Sequence, residues 1–371
     1  MLPVMSVSVV RLLMRRAERP ARPVFFRAFV SLLLLSGVAH GAPRLAGQAA
    51  DVSALTVSGL SSGGYMAVQF HVAHSASVKG AGILAAGPYY CAEGSTWTAY
   101  YNCMTPRAFT PLPPLSKLEA ATAALEKAGR IDGTAHLAGA RVWLFSGNRD
   151  RTVFPEVVSA LADYYKHYID AADLRVVREQ PAGHAIPSAD PDVKHACGAT
   201  ESPYINRCTG KGTGAPYDAA GALLAHLLGA SPPVSARETG TLATFDQREF
   251  VDGAPYAISL ADTGYVYVPE ACRKERCRVH VAFHGCSQNA DVVKTAFVRD
   301  AGYNRWGDAH RLIVLYPQTI ARYGWGLDGS FIFNPYACWD WWGYTGADYH
   351  TRTAPQIRAV EAMVERLGQA R

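Results

Sequence analysis

The sequence predicts an α/β protein with a mainly parallel central sheet covered by helices on both faces. Strand-like and helix-like stretches alternate from residue 42 onward, the pattern such sheets require. Where the first strand-like run (Ala54-Leu55-Thr56-Val57-Ser58) meets the first helix-like stretch (from Gly64-Tyr65-Met66) lies Gly59-Leu60-Ser61-Ser62-Gly63. A G-x-S-x-G turn between strand and helix is the nucleophile elbow of α/β-hydrolases. The turn is tight, so the residues flanking the serine must lack bulk, and the helix N-terminus behind it favours developing negative charge.

Residues 1–41 are expected to lie outside that fold. Arg15, Arg16, Arg19, Arg22 and Arg27 precede the apolar run Ala28-Phe29-Val30-Ser31-Leu32-Leu33-Leu34-Leu35, and small residues follow through Ala39-His40-Gly41-Ala42. That order is a secretory signal, and its apolar run is too short to span a bilayer. The leader is long, and Met14 is an alternative start. Six of the 36 basic residues but only one of the 31 acidic residues fall in the leader, so residues 42–371 carry 30 of each sign. A neutral remainder without Lys/Arg blocks speaks against nucleic acid or an anionic membrane as partner. Residues 42–371 suffice for one catalytic domain, expected to be a secreted or periplasmic monomer with no stable membrane association after signal cleavage.

After the elbow, Tyr65 to His74 reads as a helix and Gly80-Ala81-Gly82-Ile83-Leu84 as a buried strand. A loop-rich excursion follows, then a helix from Leu115 to Ala128 and the strand Arg141-Val142-Trp143-Leu144-Phe145. Pro155 opens the next helix, at a position where a missing N–H is harmless. Leu174-Arg175-Val176-Val177 is the next strand, Ala215 to Leu228 a helix, and Ser231-Pro232-Pro233-Val234 a linker inside one domain. Tyr265 to Val268, Val279 to Phe283 and Leu312 to Tyr316 read as strands, with a helix over Tyr303 to Ala309. An aromatic, Gly-rich loop from Tyr323 to Tyr349 precedes a terminal helix, Thr353 to Leu367.

All eight cysteines lie beyond the leader, and an even number in an exported chain implies disulfides. Spacing suggests Cys91–Cys103, Cys197–Cys208 and Cys272–Cys277, which leaves Cys286 with Cys338. Zinc is the rival reading, but no C-x-x-C pair is present and export argues against it. No metal or organic cofactor is expected.

A serine nucleophile needs a base, and the base needs an acid to orient it. In α/β-hydrolases these follow in the order Ser, Asp/Glu, His. Asp150 directly follows the strand 141–145, and His184 lies just past the strand 174–177. The rival bases are His195, in a loop between cysteines, and His71 and His74 on the elbow helix. For Asp150 the competing reading is a cap for the helix near Pro155. Two N–H donors must also face the oxyanion. Ser62 supplies one, and the second comes from a loop after the third strand of the fold. Too few residues precede Ser61 to hold that loop, but the strand 279–283 ends in His284-Gly285-Cys286. Circular permutation resolves the order: with residues 265–368 placed before residue 54, an ordinary hydrolase arrangement returns. Cys286 N–H is then the second donor, and a Cys286–Cys338 bridge would tie its loop to the aromatic loop. Trp339, in Cys338-Trp339-Asp340-Trp341-Trp342, is the candidate substrate contact.

Several long motifs carry a resemblance: Val57 to Met66, Gly87-Pro88-Tyr89, Ser202-Pro203-Tyr204-Ile205, Gly264 to Pro269, His284-Gly285-Cys286 and Cys338-Trp339-Asp340-Trp341. In these the chain resembles the extracellular poly(3-hydroxybutyrate) depolymerases of the single-domain, circularly permuted type. The resemblance implies a serine esterase acting on a polyester or oligoester. It also implies Ser61, Asp150 and His184 as triad, Ser62 and Cys286 amides as oxyanion hole, Trp339 at the substrate, and the four disulfides paired as above. Asn148-Arg149 before Asp150 and Ala185-Ile186-Pro187 after His184 depart from the pattern and bear on the pocket mouth. Other readings are a feruloyl or acetyl-xylan type esterase and a catalytically silent polymer-binding protein.

Overall fold

Twelve strands occur among the described residues of the computed structural model: β1 (Asp51–Leu60), β2 (Val78–Leu84), β3 (Arg141–Phe145), β4 (Leu174–Val177), β5 (Ile186–Pro187), β6 (Ile205–Asn206), β7 (Thr241–Asp246), β8 (Thr263–Val268), β9 (Arg278–Phe283), β10 (Leu312–Tyr316), β11 (Arg322–Trp325) and β12 (Phe331–Asn334). The helices are α1 (Ser62–Ala73), α2 (Leu115–Lys127), α3 (Pro155–Lys166), α4 (Ala219–Leu228), α5 (Ala290–Val293), α6 (Ala296–Asp300), α7 (Tyr303–His310) and α8 (Pro355–Gly368). The described residues are 41–178, 180–229, 232–234, 237–325 and 331–371. The leader up to residue 40 and Ser231 of the expected linker lie outside them.

Eight strands form one sheet in the order β4-β3-β2-β1-β9-β10-β8-β7. β8 runs antiparallel to both its neighbours and the other pairings are parallel. Buried parallel strands carry apolar side chains on both faces, and β10 shows it: Ile313 and Leu315 enter one core, Leu312, Val314 and Tyr316 the other. The first core is closed by α1, α3 and α8, the second by α4, α6 and α7. α8 buries Ile357, Val360, Met363, Val364 and Leu367, a helical stripe facing the sheet.

Counted from β7 through β10 and then on from β1, the sheet reads 1-2-4-3-5-6-7-8 across its width. The elbow then follows the fifth strand and His284-Gly285-Cys286 the third, the order the permuted reading calls for. The junction that such a count needs is physically close: Gln48 and Ala50 N–H donate to the Leu367 carbonyl at 3.0 Å, and Ala49 N–H to that of Gln369 at 2.8 Å. The permuted unit begins earlier than expected, however, because β7 pairs with β8 along its whole length.

β7 escaped the sequence reading because it is an edge strand whose residues are mostly exposed or half-buried, so it lacks an apolar run. The expected helix from Ala215 begins instead at Ala219, where the Asp218 side chain caps it by accepting from Gly221 N–H at 3.1 Å. Part of the expected aromatic loop is the hairpin β11–β12.

Candidate active site

Ser61 stands at the end of β1 with φ 57° and ψ −123°, a strained conformation for a residue with a side chain. Tight packing holds it there. A Cβ on Gly59 would fall 2.3 Å from the Gly63 carbonyl, and one on Gly63 would fall 2.4 Å from the Phe283 and His284 oxygens. Gly63 thus lets the elbow lie directly against the end of β9. Ser62 opens α1, so its N–H has no acceptor within the helix.

Asp150 and His184 come together from the ends of β3 and β4. His184 Nδ1–H donates to Asp150 Oδ2 at 2.7 Å, and both residues are buried. The other carboxylate oxygen, Oδ1, accepts from Thr152 N–H at 2.8 Å and Val153 N–H at 3.0 Å. Asp150 therefore also shapes its own turn, although α3 starts further on, after Phe154. Asn148 N–H to Gln180 O and Arg149 N–H to Ala182 O lace the two loops together. His184 N–H donates to Thr200 Oγ1 at 2.9 Å, inside the loop clamped by the Cys197–Cys208 disulfide.

The rival histidines are engaged elsewhere. His195 pairs with Glu201 at 3.1 Å. His71 bonds Tyr165 OH at 3.0 Å, and burial lowers its pKa to about 3. His74 faces Glu361 at 3.2 Å, with burial lowering its pKa to about 4.

Ser61 and His184 border one cavity of about 410 Å³, with Gly285 and Cys286 on its wall. A Cβ on Gly285 would sit 3.6 Å from that of Ser61, so the histidine–glycine–cysteine turn abuts Ser61. Among the described residues no acceptor takes up the Cys286 N–H. The disulfides pair as the spacing suggested: Cys91–Cys103, Cys197–Cys208, Cys272–Cys277 and Cys286–Cys338. The last joins two cavity-wall residues, and Cys91–Cys103 brackets the wall residues Ala99 and Tyr100. Only Cys272–Cys277, between β8 and β9, is remote from the cavity. Trp341 also lines the wall, stacked on Tyr65 of α1 with ring centroids 3.8 Å apart and planes 7° from parallel.

No protein-family model matches the chain. It is 40% identical over 340 residues to a poly(3-hydroxybutyrate) depolymerase of Delftia acidovorans, and 32% identical over 343 residues to a polyhydroxybutyrate depolymerase of Talaromyces funiculosus. Both alignments cover 89% of this chain, but 63% of the first relative and 95% of the second. This chain belongs to the polyhydroxybutyrate depolymerase family. Two solved structures superpose with TM-scores of 0.75, each over 87% of this chain and 98% of the other: a PHB depolymerase from Penicillium funiculosum (30% identity), and a serine-to-alanine variant of a PHB depolymerase complexed with an R3HB trimer (29% identity).

In this depolymerase-family chain one expected site residue falls elsewhere. Trp339 is fully buried and does not border the cavity. Trp339 packs edge-on against Phe283, with ring centroids 5.0 Å apart. Trp341 and Trp342 are the tryptophans on the wall. Tyr204, Phe333 and Tyr336, which the sequence reading did not single out, line it as well. Their signal was the density of aromatic residues near Cys338 and after the histidine loop. The departures at Asn148, Arg149, Ala185, Ile186 and Pro187 lie off the cavity wall.

Proposed function

We propose that this chain is an exported serine esterase hydrolysing poly(3-hydroxybutyrate) or its oligomers through an acyl-enzyme. The observation that carries the reading is that His184, bonded to Asp150, borders one apolar-walled cavity together with Ser61. Ser61 Oγ attacks the ester carbonyl while His184 Nε2 takes its proton, and Asp150 holds the Nδ1–H tautomer and stabilises the imidazolium. Ser62 and Cys286 N–H groups take the negative charge of the tetrahedral intermediate. His184 then protonates the departing alkoxide, the acyl group stays on Ser61, and water activated by the same histidine releases the acid.

A long apolar substrate is supported by the surface around the cavity. Tyr100, Phe333 and Tyr336 each line it while more than half exposed. From Phe333 the hairpin continues the surface outward, pairing Tyr323 with Phe333 and Trp325 with Phe331. All four rings are exposed, Trp325 by 76%. A contiguous apolar patch on a water-soluble protein marks a contact surface. Export is supported by the four disulfides; N-terminal sequencing of the secreted protein would locate the cleavage site, expected near residue 41. Light scattering is expected to give a monomer.

Ser61→Ala tests the reading. Release of 3-hydroxybutyrate from amorphous polymer is expected to fall by roughly 10⁴-fold or more, with unchanged circular dichroism. Retained turnover would overturn the nucleophile assignment. Release of phenolic acid or acetate from xylan, with none of 3-hydroxybutyrate from polymer, would overturn the substrate.

A further inference from the structure

We propose that His284 is the positioning residue of the oxyanion hole: it holds the Gly285 carbonyl so that the Cys286 N–H of the same peptide stays turned away from it, toward Ser61. This rests on Cys286 N–H being the second donor.

Hydrogen-bond roles fix the His284 tautomer. Thr319 N–H, which can only donate, lies 3.1 Å from His284 Nε2, so Nε2 is the acceptor. The Gly285 carbonyl, which can only accept, lies 2.8 Å from Nδ1, so Nδ1 carries the hydrogen. Burial lowers the ring's pKa to about 4, which keeps it neutral in this form at ordinary pH. Thr319 is held in turn, its hydroxyl donating to the Ala337 carbonyl at 2.7 Å.

The Gly285–Cys286 peptide is trans, so its C=O and N–H point in opposite directions. Anchoring the carbonyl on His284 therefore sets the direction of the Cys286 N–H. A flipped peptide would put the Gly285 oxygen where the oxyanion forms, and glycine offers little steric resistance to such a flip. The preceding peptide is held too: Gly285 N–H donates to Gln288 Oε1 at 2.8 Å. Gln288 Nε2 donates to Pro203 O at 3.0 Å and Tyr204 O at 3.3 Å. The Tyr204 carbonyl also accepts from Ile186 N–H at 2.9 Å, two residues past His184. A short chain of bonds thus links the oxyanion turn to the base loop.

The test compares a soluble short-chain p-nitrophenyl ester with its thionoester, whose sulfur is a poor hydrogen-bond acceptor. Wild type is expected to favour the oxygen ester by roughly 100-fold. His284→Leu is expected to lower kcat on the oxygen ester by roughly 100-fold with KM changed by less than about threefold, and to collapse the oxygen-to-sulfur preference. His284→Asn, whose amide N–H can reach the same carbonyl, should restore most of both. A wild-type preference near unity overturns the Cys286 assignment itself. A strong preference that His284→Leu leaves intact, with kcat unchanged, overturns the positioning role alone. Should His284→Leu not fold, nitrogen-15 imidazole shifts of the wild-type protein decide: a hydrogen on Nδ1 supports the proposal, and one on Nε2 overturns it.

Discussion

The two oxygens of Asp150 serve different partners, Oδ2 the His184 ring and Oδ1 the amides of Thr152 and Val153. The sequence offered a cap for the helix near Pro155 as the rival of base orientation; the geometry has the His184 bond, while Oδ1 caps only its own turn and α3 has no side-chain cap. Asp150→Asn separates them. An amide keeps one acceptor for the turn but loses the carboxylate that selects the Nδ1–H tautomer. The expected result is a fall in kcat of about 10⁴-fold on soluble ester, with a urea midpoint close to wild type. The pairing of Asp150 with His184 could be anticipated because each lies on the loop that follows a strand its own apolar run reveals. The burial of Trp339 could not, since it packs against Phe283, more than fifty residues earlier. His284 was found as part of a turn, but its role depends on Thr319, thirty-five residues away, a contact that only the fold creates.

Among the elements, α8 and β10 were readable, while β7 and the β11–β12 hairpin were not. α8 carries a buried apolar stripe and β10 a continuous buried apolar run, whereas β7 is mostly exposed or half-buried. In the hairpin the alternation is reversed in meaning: Tyr323, Trp325, Phe331 and Phe333 are exposed, while Arg322 and Asn334 turn inward. Asn334 is fully buried, bonding the Cys338 carbonyl and N–H at 2.8 Å each, so the hairpin is anchored beside the disulfide that borders the cavity. Its aromatic face is therefore held next to the site without taking part in the chemistry. Replacing Tyr323 and Trp325 together with serine is expected to reduce adsorption to polymer films severalfold, with kcat/KM on a soluble ester within about twofold of wild type, since exposed aromatic rings contribute through buried apolar area. Depletion from solution over suspended polymer measures the first, and an ester assay the second.

At the scale of the whole molecule, the permuted connection was readable because one missing loop had one available donor turn, and the sheet order is compatible with that arrangement. What no sequence pattern revealed is how many imidazoles the fold buries neutral. His71 and His280 have pKa values lowered to about 3, and His74, His284 and His350 to about 4, in each case chiefly by burial. His280 shows why the form is neutral: it sits between the hydroxyls of Thr56 and Ser58 at 2.8 Å each, in the middle of the sheet. Unfolded histidine titrates near pH 6.5, so between that value and about pH 4 the unfolded chain binds protons that the folded one refuses. Stability must then rise with pH across this window, and be lost as pH falls through it, at about 1.4 kcal/mol per pH unit for each such ring. Urea unfolding at pH 7, 6, 5 and 4 is expected to give a steep decline in unfolding free energy below pH 6.5, corresponding to an uptake of several protons. His280→Gln should lessen that slope by close to one proton; an unaltered slope in a folded variant would show that this ring is protonated in the native sheet.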